Sequence, residues 1–68
     1  MPSEIVFATG AAVKVVADVD AVVEALDEDE LLFETKRFAG FRGDEVVGGE
    51  RVVVQLDAIA YVQAISAP

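Results

Sequence analysis

Cysteine, histidine and tryptophan are all absent from this chain of 68 residues. The lack of cysteine rules out a disulfide, and the lack of both cysteine and histidine removes the ligands that most transition-metal sites use. No imidazole is present to activate a serine or threonine nucleophile. We therefore expect no catalytic residue, no metal site and no cofactor, and we predict that the protein is not an enzyme.

Carboxylates are the remaining groups that could carry acid–base chemistry, and their longest run is Asp27-Glu28-Asp29-Glu30. Adjacent like charges in a predicted turn are usually solvated rather than catalytic. The run also lacks the alternating spacing and the glycine of a calcium-binding loop. It therefore predicts neither a general acid–base pair nor a specific metal site.

Basic residues are scarce, with five Lys and Arg against thirteen Asp and Glu, for a formal net charge of −8. A strongly negative chain is repelled by nucleic acid and by anionic membranes. Three of the five basic residues nevertheless fall within seven positions that also contain two phenylalanines. The candidate partner-binding residues are Lys36, Arg37, Phe38, Phe41 and Arg42.

This basic–aromatic segment has two interpretations. In one, the cations contact phosphates and the phenylalanines stack on bases. In the other, the cations neutralise the acidic segments Asp27–Glu30 and Asp44–Glu45, within or between subunits, and the phenylalanines belong to the core. We favour the second because a chain of net charge −8 would bind nucleic acid against its own field.

Long apolar runs are also missing. No stretch approaches the roughly 18–20 apolar residues of a transmembrane helix. The first residues, Met1-Pro2-Ser3-Glu4, lack the basic region of a signal peptide. We therefore predict a cytoplasmic protein that makes no membrane contact.

Apolar residues, by contrast, are abundant, at 54% of the chain. A typical soluble domain reaches about 45–50% only when glycine is included, and a chain this short has a small interior. Some of the apolar surface is therefore expected to face another molecule, which predicts a homo-oligomer. The alternative is a core built from many small side chains, because valine and alanine dominate the composition.

One amphipathic helix is predicted at about residues 19–27. Asp18 is a favourable N-cap, and four apolar residues follow at helical spacing. This stripe, which is expected to cover the parent sheet, consists of Val19, Val22, Val23 and Leu26.

Five segments rich in β-branched and aromatic residues are predicted as strands. They are residues 4–9, 11–17, 31–38, 51–56 and 59–65. The last segment also fits a helix, although its composition favours a strand. Residues 39–50, rich in glycine and charge, are predicted as a loop that could contain a short strand at Glu45–Val47, and residues 66–68 as a tail.

Together these elements predict a single α+β domain spanning residues 1–68. It has a small, mostly antiparallel sheet of four to six strands in the order β-β-α-β-(β)-β-β, with the amphipathic helix packed on one face. One helix covers one face at most, while valine occurs on both faces of the predicted strands. A partner subunit is therefore expected to cover the second face or an edge of the sheet.

The function predicted from these features is a non-enzymatic, homo-oligomeric module for protein interaction or assembly. Its partner would be a second copy of the chain or another protein. The alternative is a small nucleic-acid-binding or regulatory protein that uses residues Lys36–Arg42. The closing stretch Arg51–Ile65 resembles the strand–turn–strand ending of many small bacterial proteins, which suggests a bacterial source and implies nothing about function.

Overall fold

A computed structural model describes residues 1–67 of the chain. It contains a five-stranded antiparallel sheet with one helix between the second and third strands, which confirms the predicted α+β class. The strands are β1 Ser3–Phe7, β2 Ala12–Val15, β3 Leu32–Arg42, β4 Glu45–Gln55 and β5 Ile59–Ala64. The helix α1 spans Val19–Asp27, and a 3₁₀ turn at Leu56–Ala58 joins β4 to β5.

The sheet is built from two parts that meet at a narrow junction. Its strand order is β4-β3-β2-β1-β5, so β4 and β5 form the two edges. The β2–β3 ladder consists of one residue pair, Val15 with Arg37. Next to it, the Val16 N–H donates to the Lys36 carbonyl at 3.0 Å. The β3–β4 hairpin is therefore attached to the β5-β1-β2 part through very few backbone contacts.

The core lies between α1 and the face of the sheet that carries Ile5 and Val15. These two residues share a face because Ser3 pairs with Val15 and Ile5 pairs with Val13. Within the described chain the buried apolar residues are Ile5, Val15, Val22, Ala25, Val54 and Leu56. Ser3 is buried with them, and its Oγ donates to the Ala17 carbonyl at 2.7 Å. Seven partly buried apolar side chains pack against this cluster, namely Phe7, Val13, Ala17, Phe33, Val52, Ile59 and Val62.

The helix begins as predicted, because Asp18 Oδ1 accepts the Ala21 N–H at 2.8 Å. Its buried residues, however, are Val22 and Ala25, while Val23 is 41% and Leu26 37% exposed. Successive residues turn by about 100° around a helix. The buried side is thus rotated away from the centre of the predicted apolar stripe, and one flank of that stripe lies at the surface.

The opposite face of the sheet is mixed, because exposed Leu32, Val53 and Tyr61 lie on it among charged and amide side chains. Glu4, Lys14 and Gln63 lie side by side on three strands, and Gln63 Nε2 donates to Glu4 Oε1 at 2.7 Å. Lys36 and Arg51 are paired across β3 and β4 on the same face. Covering this outer face would therefore bury charged groups together with the apolar ones. The prediction that a partner covers the second face or an edge of the sheet stays a prediction.

The prediction of a loop at residues 39–50 is wrong. β3 continues to Arg42 and β4 begins at Glu45, so this stretch is the distal part of one long hairpin. Its turn is Gly43-Asp44, where Gly43 has a φ of 65° that glycine adopts without strain.

At the C-terminal end of the chain, residues 59–64 form the strand β5 rather than a helix. Pro68, in the predicted tail, lies outside the described residues.

The glycines of this hairpin mark irregular pairing rather than a loop. The β3–β4 register shifts between Lys36 and Phe38 and again between Phe38 and Gly40. Gly48 faces Phe38, and a Cβ there would lie 3.3 Å from the Lys36 side chain. Glycine at a bulge permits such a close approach of two strands, so a glycine-rich composition is compatible with a continuous hairpin.

Two adjacent valines of α1 test which helix face is buried. Val22→Ala removes fully buried methyl groups and should lower the free energy of unfolding by about 2 kcal/mol. Val23→Ala makes the same chemical change at an exposed position of the same helix and should lower it by less than about 0.5 kcal/mol. Urea denaturation measures both values, and equal losses would contradict the helix orientation described above.

Candidate functional site

The predicted basic–aromatic segment lies on β3, where strand alternation separates its two adjacent cations. Arg37 pairs with Val15 and so lies on the core side of the sheet. Lys36 pairs with Arg51 on the outer face. Arg42 lies ahead of the hairpin turn, opposite Glu45. The five predicted residues therefore share one strand without forming one continuous basic surface.

Two of the basic side chains are bound to carboxylates of the hairpin itself. Arg37 Nε lies 2.8 Å from Glu50 Oε1, and Arg51 Nη2 lies 2.6 Å from Glu34 Oε2. Both pairs are solvent-exposed, so water and salt screen the attraction and the pairs contribute little to stability. For Arg37 the partner is therefore Glu50, and not the predicted acidic segments Asp27–Glu30 or Asp44–Glu45 of the same chain.

Phe38 and Phe41 contact each other rather than the core. Their ring centroids are 5.0 Å apart with an interplanar angle of 66°, an edge-to-face arrangement. Both side chains are half-buried, and neither packs against the core cluster. An aromatic pair of this kind adds about 0.5–1.5 kcal/mol beyond its buried area. The pair thus stabilises the distal hairpin, and its rings already have an aromatic partner.

A cleft of about 470 Å³ lies beside β4. Six apolar residues line it, namely Phe7, Val13, Val52, Val53, Val54 and Ala58. The volume falls within the range of small-molecule pockets. Among residues 1–67, Arg37 is the one ionisable residue of the lining, and no carboxylate of these residues takes part in it.

The cleft borders the open edge of β4, since the consecutive residues Val52–Gln55 all line it. The direction of the backbone groups at this edge follows from one hydrogen bond. Leu56 N–H donates to the Leu31 carbonyl at 3.0 Å, which makes the neighbouring pair Leu32–Gln55 a non-hydrogen-bonded pair. Such pairs alternate along an antiparallel ladder. The N–H and C=O groups of Arg51, Val53 and Gln55 therefore point away from β3.

The other edge, β5, is shorter and lies beside the helix. α1 packs against β5, and β5 has six residues against the eleven of β4. The Ile65 N–H donates to the Pro2 carbonyl at 2.9 Å, so the neighbouring pair Ser3–Ala64 is a non-hydrogen-bonded pair. The backbone groups of Ala64, and of Val62 two residues before it, therefore point away from β1. β4 is thus the longer and more accessible of the two edges.

Several large apolar side chains are exposed near this end of the hairpin. Leu31 is 72%, Leu32 57% and Val53 47% exposed. Val53 lies between Arg51 and Gln55 on the outer face, on an otherwise polar stretch of β4. The sequence carries a signal for Val53, because alternation in 51–56 already places it beside Arg51 and Gln55. For Leu31 and Leu32, no sequence pattern distinguishes exposure from burial.

Comparison of the chain with protein-family models, with curated proteins and with solved structures finds no match. None of the helices formed by residues 1–67 is long and apolar enough to cross a membrane. Within the same residues, no three acidic side chains come together in a group that could hold a metal ion.

The exposed Glu34–Arg51 pair makes a testable electrostatic prediction. The hydrogen bond from Arg51, assisted by the attraction of its charge, lowers the pKa of the Glu34 carboxyl, and the same contact raises the pKa of Arg51. Arg51→Gln should therefore raise the Glu34 pKa toward its ordinary value, as followed by carboxyl-carbon NMR during an acid titration. Arg37→Gln, on the other face, is the matched control and should leave Glu34 unchanged.

The sign of the linked stability change follows from the lowered pKa. A group with a depressed folded-state pKa stabilises the fold above its unfolded-state pKa, and the contribution disappears as the pH falls through the folded-state pKa. The stability difference between the wild type and Arg51→Gln should therefore shrink on acidification. A difference that grew toward low pH would contradict the pairing.

Proposed function

We propose that this protein is a non-enzymatic, homo-oligomeric interaction module whose copies associate through the open edge of the sheet. The observation that carries this proposal is the edge of β4. Its backbone groups at Arg51, Val53 and Gln55 point away from β3 and, among residues 1–67, have no strand beside them. An exposed edge of this kind is a template for pairing with another chain.

The balance between apolar content and core size supports the same proposal. The chain is 54% apolar, yet the described residues bury six apolar side chains fully enough to form the core. A domain of about 60 residues buries only about 60% of its unfolded surface, so its stability alone is marginal. Association adds buried surface without a longer chain, and it needs neither a disulfide nor a metal.

The distribution of polarity favours an edge over a face as the site of association. The outer face carries Glu4, Lys14 and Gln63, with a hydrogen bond between Glu4 and Gln63, and covering it would desolvate charged groups at a cost. Pairing at β4 instead satisfies backbone groups that are already aligned. An edge contact therefore gains hydrogen bonds while burying few charges.

Solution mass tests this proposal. Multi-angle light scattering at micromolar concentration and moderate salt should give a multiple of the 7.2 kDa chain mass. Because each copy carries a net charge of −8, lowering the ionic strength should weaken association by unscreening the repulsion. A single-chain mass under these conditions would count decisively against the proposal.

A control variant separates edge pairing from nonspecific apolar association. Leu31→Ser removes the most exposed large apolar side chain among residues 1–67, and Leu31 lies outside β4. The oligomer mass should be unchanged in this variant. Loss of the oligomer would instead locate the contact at the exposed leucines near the helix end.

The alternative, a nucleic-acid-binding protein that uses Lys36–Arg42, stays a prediction that no observation favours. Lys36 and Arg37 lie on opposite faces, and Phe38 and Phe41 contact each other. A low-salt titration with single-stranded RNA and DNA tests it, with the double variant Arg37→Ala/Arg42→Ala as the control. Binding by the wild type that the double variant loses would revive this alternative.

A further inference from the structure

We propose that the partner at the open edge is a second copy of this chain, and that two β4 strands pair antiparallel about a two-fold axis at Val53. This inference rests on the proposed function and specifies the surface it uses. The two five-stranded sheets would then join into one continuous sheet of ten strands. The pairing strand is the regular part of β4, residues 51–55, which lies beyond the bulged section of the hairpin.

The backbone favours this register over its neighbours. A two-fold axis perpendicular to a continuous sheet pairs residues that lie equally far on either side of the central residue. With Val53 at the centre, Val53 faces its own copy and Arg51 faces the partner's Gln55. Every outward-pointing residue of the segment, in both copies, then forms backbone hydrogen bonds across the interface. The three facing pairs form two hydrogen bonds each, which gives six in total.

Other registers use fewer of these groups or bring like charges together. A centre at Val52 or Val54 pairs two of the three outward-pointing residues within the segment. A centre at Arg51 places Arg51 directly opposite its own copy, and like charges directly opposite each other destabilise a sheet. A centre at Gln55 uses a single outward-pointing residue of the regular segment. The register centred on Val53 therefore gains the most.

The side chains are complementary in the same register. On the outer face Val53 meets its own copy, and Arg51 retains donors for the partner's Gln55 side-chain oxygen while it stays bound to Glu34. On the core side Val52 faces the partner's Val54 in a non-hydrogen-bonded pair, where side chains approach most closely. This contact would continue the apolar lining of the cleft that both residues form.

This complementarity is what identifies the partner as a second copy. The segment reads Arg51-Val52-Val53-Val54-Gln55, with three valines between two long polar side chains that can hydrogen-bond to each other. Such a segment is complementary to a second copy of itself running in the opposite direction. Pairing about a two-fold axis requires this property, whereas pairing with an unrelated strand does not. The same match explains why a half-exposed valine occupies the middle of a polar stretch at an open edge.

Single cysteines test the register directly, because the described chain has no cysteine of its own. Facing residues in a hydrogen-bonded pair have Cα atoms about 5.5 Å apart, within the range that a disulfide spans. Val53→Cys should therefore yield a covalent dimer on mild oxidation. Tyr61→Cys, at a similarly exposed site on β5, is the matched control and should stay monomeric on a denaturing gel.

Two further cysteine variants define the register to one residue. Gln55→Cys alone should not cross-link, because the two copies of position 55 would lie four residues apart, or about 14 Å at the usual rise of a strand. Arg51→Cys alone should fail for the same reason. An equimolar mixture of these two variants should form the mixed disulfide.

The outcomes separate this inference from the proposed function. A wild-type mass of one chain would overturn both. An oligomeric mass with no cross-link at Val53, or with a cross-link at Tyr61 instead, would overturn this interface and leave self-assembly standing. Cross-linking at Val53, together with the mixed Arg51–Gln55 disulfide and none from either variant alone, is the result expected.

A proline variant provides a test that does not depend on oxidation. The Val53 N–H points away from β3, so Val53→Pro removes a group that the isolated fold does not use. We expect this variant to keep its circular dichroism spectrum and to have the mass of one chain. Slow amide exchange at Arg51, Val53 and Gln55 in the wild type, becoming fast on dilution, is expected as well. A folded proline variant that keeps the wild-type oligomer mass would overturn the interface.

Discussion

The narrowness of the junction between β2 and β3 is the constraint that shapes the rest of the architecture. A single ladder pair, Val15 with Arg37, and the adjacent bond from Val16 to Lys36 join the two parts of the sheet. Because so few backbone bonds cross this point, the hairpin is held mainly by packing. Val54 and Leu56 return from β4 into the core beside Ile5 and Val22. The cleft and the free edge of β4 follow from this arrangement.

Local patterns predicted much of the fold. Asp18 and the apolar spacing after it placed α1 at residues 19–27, where it is found. Alternation located all five strands, although it placed the start of β4 six residues late, at 51 instead of 45. The error at residues 39–50 arose because glycine supports both turns and bulges. Composition does not distinguish them, whereas the pairing of Phe38 with Gly48 does.

The candidate site was less predictable, since its contacts depend on strand register. Arg37 and Arg51 bind Glu50 and Glu34 because the β3–β4 pairing brings those residues together. No spacing rule within one strand indicates such partners. Alternation alone would have separated Lys36 from Arg37, once the segment was placed on a strand. α1 buries Ala25 in place of Val23 where it packs into the core cluster, a tertiary contact that the apolar spacing of the helix alone does not indicate.

The two edges of the sheet are unequal. β4 has eleven residues and an open edge, while β5 has six residues and contacts α1. Both edges direct backbone groups outward, β4 at Arg51, Val53 and Gln55 and β5 at Val62 and Ala64. A sheet that pairs at both edges can add copies without end, as fibrils do. If copies pair at β4, further growth would have to use β5, which offers a partner strand fewer outward residues, so a closed dimer would be favoured over a fibre.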